Sequence, residues 1–70
     1  MVEVFKTNVQ HRELAEQLVS VLQGRIDFCK INFDLDDCDK ILRIEGKQIC
    51  VETIIEILNT RGLHCELLPD

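Results

Sequence analysis

No apolar run in this 70-residue chain comes near the roughly 20 residues that a helix needs to cross a bilayer, so no membrane span is expected. The opening residues, MVEVFKTN, lack the charged-then-apolar organisation of a secretory leader, and a cytoplasmic location is the expectation. Basic residues are scarce: eight Lys and Arg stand against 13 Asp and Glu, for a formal net charge of −5. A phosphate backbone is held by clustered cations, so this balance speaks against nucleic acid as a partner. The four cysteines, Cys29, Cys38, Cys50 and Cys65, include no CxxC pair, and in a reducing compartment they are expected to stay free. There is no internal repeat, linker or low-complexity tract. No glycine-rich phosphate loop, paired catalytic carboxylates or Ser, His and Asp grouping stands out, and no enzyme is expected.

What is present is a globular pattern. At 46% hydrophobic and 30% charged residues the chain is too apolar for disorder, and residues 1–70 are read as one domain near the lower size at which an apolar core holds a chain together. Its centre is the stretch from Phe28 to Glu45, FCKINFDLDDCDKILRIE. Cys29, Ile31, Phe33 and Leu35 alternate with Lys30, Asn32 and Asp34, and Leu42 and Ile44 alternate with Arg43 and Glu45, the period of two strands each with one wet face. Asp36, Asp37 and Asp39 between them are poor strand formers that hydrogen-bond locally in turns. Cys29 and Cys65 take the apolar phase of their strands, where a free cysteine packs as a small hydrophobe.

On the N-terminal side Val2 to Thr7 reads as a first strand, although Val2 and Val4 disagree in phase with Phe5. Asn8 is the expected N-cap of a helix from about Val9 to Gln23, with Leu14, Ala15, Leu18, Val21 and Leu22 as its apolar stripe and Gly24 as its stop. On the C-terminal side Val51, Ile54, Ile55 and Leu58 mark a second helix that Gly62 ends, and Leu63, Cys65 and Leu67 alternate in a last strand. The order strand, helix, strand, strand, helix, strand predicts an α+β fold of ferredoxin-like type: a four-stranded antiparallel sheet with both helices on one face. The other face is then open, with Phe28, Lys30, Asn32, Ile41, Arg43, His64, Glu66 and Leu68 in its phase. Phe28, Ile41 and Leu68 make it more apolar than a wet face requires, so a protein partner or a homodimer through this face is expected.

In layout and length, over almost the whole chain, the sequence resembles the heavy-metal-associated (HMA) domain family of copper chaperones and metal-transporting ATPase modules. The family resemblance implies a CxxC pair between the first strand and first helix, within FKTNVQHREL here, holding a soft cation such as Cu(I). Carried onto this chain, the first cysteine falls on His11 and the second on Leu14, so neither thiolate is present. The expectation is a degenerate HMA-like domain that binds no metal; the alternative is a residual copper or zinc carrier using His11 and a cysteine.

Asp34, Asp36, Asp37 and Asp39 crowd one turn, but a calcium loop needs a central Gly where Asp39 stands, so a solvated turn is expected, with Cys38 exposed in it. Cys50 falls where the second helix begins, and unpaired N–H groups there lower a thiol's pKa.

Overall fold

The protein is described here by a computed structural model covering residues 1–69. Its elements are β1 (Val2–Thr7), α1 (Arg12–Arg25), β2 (Cys29–Asp34), β3 (Ile41–Gly46), α2 (Val51–Asn59) and β4 (Cys65–Leu67). The strands form one antiparallel sheet in the order β2-β3-β1-β4.

A strand facing a core on one side can bury only one parity of its residues. In β1 that parity belongs to Phe5, which lies opposite Leu42 on β3 and Leu67 on β4 and is fully buried together with Leu42. Val2 and Val4 are thereby turned to the far side, opposite Glu45 and Arg43. The buried sheet residues Phe5, Ile31, Leu42, Ile44 and Cys65 share one face and form a single cluster with Ala15, Leu18 and Leu22 of α1 and Ile54, Ile57 and Leu58 of α2. Both helices therefore cover the same side of the sheet. Ile57, outside the expected stripe, is in the core, while Leu14, Val21, Val51 and Ile55 are half-buried at its rim.

Several boundaries differ from expectation. Helix α1 starts at Arg12 rather than Val9, and its N-cap position is His11, in extended conformation with no side-chain cap. Asn8 caps nothing: its Oδ1 accepts the His64 N–H at 2.8 Å and ties the β1–α1 loop to the start of β4. Val9 is fully buried while still outside the helix, and its N–H donates to Thr7 Oγ1 at 3.2 Å. Burial of a β-branched residue here outweighs its weak helix preference. Gly24 does not stop α1, which continues through Arg25 until the Ile26 N–H closes on the Leu22 carbonyl at 2.8 Å.

Gly62 does end the second helix, with φ +76°. The Leu63 N–H reaches the Leu58 carbonyl and the Gly62 N–H the Asn59 carbonyl, both at 3.0 Å, the paired bonds of a Schellman motif. β4 is shorter than expected, beginning at Cys65 instead of Leu63, and Leu67 keeps the core-facing phase but remains 39% exposed at the sheet's outer edge.

The hairpin connection spans residues 35–40 and leaves Leu35 outside β2, although half-buried. Its aspartates act as turn formers: Asp34 Oδ1 accepts the Asp36 N–H at 3.2 Å and Asp37 Oδ1 the Asp39 N–H at 2.8 Å. Lys40 then takes a positive φ of 48°. Thr7, the one buried polar residue among those described, donates its hydroxyl to the Lys40 carbonyl, while its own N–H bonds the Asp39 carbonyl at 3.1 Å. One side chain thus joins the end of β1, the hairpin turn and the loop leading to α1.

Candidate functional site

The sheet face away from the helices is built by register. Val4 lies opposite Arg43, which lies opposite Asn32, and the Leu68 N–H donates to the Val4 carbonyl at 2.8 Å on the other side. Lys6 faces Ile41 and Glu66 on its two neighbours, Ile41 faces Asp34, and Glu45 stands between Val2 and Lys30. Val4, Ile41 and Leu68 form a half-buried apolar band across three adjacent chain segments, extended by Val2 at 42% exposure. No helix covers it. Around the band the cations Lys6, Lys30 and Arg43 balance the anions Asp34, Glu45 and Glu66, so the face is amphipathic without a strong field of either sign. The Lys6 to Asp39 pair, 3.7 Å apart with both side chains nearly half exposed, adds little.

One expected member of this face, Phe28, sits elsewhere. Phe28 precedes β2, in a bend at residues 26–28 with φ 58°, and is 97% exposed beside a shallow hollow lined by Ile26, Lys47 and Gln48. His64 lies just before β4, exposed, with Nε2 3.4 Å from Glu66 Oε1. Val2 and Val4, which the sequence could not place, take their share of the face. Their assignment needed the register of Phe5, a signal available only once β1 is paired with β3.

The thiols separate by environment, and all four are free. Cys65 is buried, and desolvation pushes its pKa up to about 11. Cys29 is half-buried opposite Gly46 in the sheet; a Cβ at Gly46 would lie 2.6 Å from Cys29 Sγ, so a side chain there would require the thiol to turn away. Cys38 is exposed in the acidic turn.

Cys50 occupies the N-cap position of α2, fully exposed, and accepts a hydrogen bond from the Thr53 hydroxyl at 3.0 Å. That bond is the first cause of a lowered pKa, the nearby Thr53 and Glu52 N–H groups adding to it and desolvation and the Glu52 carboxylate opposing. The N–H groups lie near Sγ without closing a cap hydrogen bond.

His11 is exposed at the start of α1, and Leu14 is packed against the core, so the two positions onto which the resemblance would carry its cysteines diverge: one faces water and the other the interior. Among the described residues, one group places three potential ligand atoms within 4.8 Å of one another: Asp37, Cys38 and Asp39. His11 is not a member. The Asp37 and Asp39 carboxylates already serve the turn and the Lys6 pair. No helix among the described residues is long and apolar enough to cross a membrane. No family model matches the chain, and comparison with curated proteins and with solved structures likewise gives no match.

Proposed function

We propose that this chain is a small cytoplasmic protein-contact module on a ferredoxin-like frame, a degenerate HMA-like domain without a metal site or catalytic role. The frame is supported by the placement of β1 and β3 at the centre of the sheet, β2 and β4 outside, and both helices against one face. Loss of the metal site is supported by His11 and Leu14 standing where the family's cysteines would be, since neither supplies a thiolate.

The observation that carries the functional reading is the uncovered apolar band of Val4, Ile41 and Leu68, ringed by balanced charge. Such a surface suits a protein partner: apolar groups at the centre give burial, and the surrounding charges fix orientation. Phe28 adds an exposed aromatic anchor beyond the end of β2. The test is charge substitution at both places, Ile41→Glu and Phe28→Asp, with helicity confirmed by circular dichroism. Partner capture from the native cell extract and the oligomeric state should both be compared with the unsubstituted chain. Loss of a reproducible partner in the substituted chain is expected; an unchanged partner set and oligomeric state would contradict the reading.

A further inference from the structure

The two outer strands of the sheet are unlike. β4 has three residues, whereas β2 has six, contains no proline and, among the described residues, has no strand on its far side. The direction of its backbone groups follows from β3. The Gly46 N–H donates to the Met1 carbonyl at 3.0 Å, so Gly46, Ile44 and Leu42 aim their backbone groups at β1. Antiparallel alternation then aims those of Ile41, Arg43 and Glu45 at β2, where their partners are Asp34, Asn32 and Lys30. The N–H and C=O groups of Cys29, Ile31 and Phe33 consequently point outward from the sheet. A row of such groups is a template for another strand.

We propose that β2 pairs antiparallel with β2 of a second copy about a two-fold axis at Asn32, joining two sheets into one. The strand is self-complementary in that register. On the open face Lys30 of each copy stands opposite Asp34 of the other, with Asn32 opposite Asn32; on the helix-covered face Ile31 stands opposite Phe33 in both directions. Ile31 and Phe33 are residues with outward backbone groups, so each such pair exchanges both of its N–H···O bonds. Other registers forfeit this match. A two-residue slip sets a charged residue opposite Asn32, and parallel pairing in register would set Lys30 beside Lys30 and Asp34 beside Asp34. The two lateral charges therefore admit a correctly placed copy and oppose misplaced ones. Along the same edge a groove between Arg12, Glu16 and Val19 of α1 and Ile31 and Phe33 of β2 leaves room for the incoming Phe33 ring. The outward backbone groups of Cys29, Ile31 and Phe33 are not part of the apolar band, although Lys30 and Asp34 also stand in the charge ring around it, so the pairing does not rest on the proposed function.

The test is sedimentation velocity over a concentration series, on the unsubstituted chain, on Lys30→Asp, on Asp34→Lys, and on the two variants mixed. Concentration-dependent dimerisation is expected for the unsubstituted chain, and weakening of about tenfold or more for each variant alone, because like charges then face each other twice. The equimolar mixture restores the dimer, since every lateral pair is again opposite in sign; recovery on mixing also excludes misfolding as the cause of the loss. Amide exchange gives a second readout: Ile31 and Phe33 N–H groups become protected as concentration rises, whereas those of Lys30 and Asn32 are protected throughout. A chain that stays monomeric with fast-exchanging Ile31 and Phe33 amides overturns the inference, as does a mixture that fails to recover. A dimer indifferent to both charge variants but abolished by Ile41→Glu also overturns it, assigning association to the apolar band and leaving the proposed function standing.

Discussion

Gly24 and Gly62 look like the same device in the sequence, each a glycine just past an apolar helical stripe, yet replacing them by alanine should move stability in opposite directions. Gly24 lies within α1, and a Cβ there meets nothing within 4 Å. Alanine keeps the helical conformation and removes unfolded-state freedom, for a gain of about 0.5 kcal/mol, at the low end of the glycine-to-alanine range because the position is one residue from the helix end. Gly62 also has open space around it, but its φ is +76°. The cost of alanine there is therefore backbone strain alone, about 1–2 kcal/mol. In a domain of this size the gain corresponds to about 2–4 °C in melting temperature and the loss to about 4–16 °C. Thermal unfolding followed by circular dichroism, checked by urea titration with an unchanged slope, reads both. A Gly24→Ala variant that loses stability, or a Gly62→Ala variant that loses none, would refute the reasoning.

Thr7→Val is nearly isosteric but leaves the Lys40 carbonyl and the Val9 N–H without their side-chain partner, and should cost about 1–3 kcal/mol by urea titration, whereas Thr7→Ser should recover most of it. Cys50 and Cys65 should titrate apart. Iodoacetamide should modify Cys50 first and Cys65 last at neutral pH, followed by mass spectrometry, and Thr53→Val should shift the Cys50 labelling profile to higher pH by removing the hydroxyl that favours its thiolate. Cys65 has the opposite sign: its folded pKa is raised from the ordinary 9.0 to about 11, so the folded state holds its proton where the unfolded chain has released it. Stability should therefore fall as pH rises from 9.0 towards 11, and Cys65→Ala should remove that part of the slope.

The helices and the central hairpin were legible because their apolar periods are long and agree with one another: Leu18 and Leu22, Ile54 and Leu58, and Leu42 and Ile44 all reached the core as their spacing required. Errors gathered at the ends of elements, where tertiary contacts decide. Asn8 has the chemistry of a cap, but its carbonyl oxygen is engaged by a backbone N–H 56 positions away, a partner no local window contains. Val9 looked helical because it is apolar, and it is buried from a loop instead.

The candidate face was half legible. Lys30, Asn32, Ile41 and Arg43 followed from alternation, while Phe28 was misplaced because a positive φ breaks the alternation one residue before β2. Val2 and Val4 needed the pairing of β1 to be assigned at all. Cys50 stands at its helix start as the pattern requires, but the hydroxyl that donates to it belongs to Thr53, three residues on in the first turn, and apolar periodicity carries no sign of that bond.

The central claim, that the uncovered sheet face is the contact surface, is tested most directly by site-specific photo-crosslinking in the native cell extract. A photoreactive side chain would be placed at Val4 or Ile41 on that face and, for comparison, at Gln17 or Glu56 on the exposed sides of the helices. The account predicts a discrete protein adduct from Val4 and Ile41 that is absent from the helix positions. Adducts from the helix positions with none from the sheet face would contradict it.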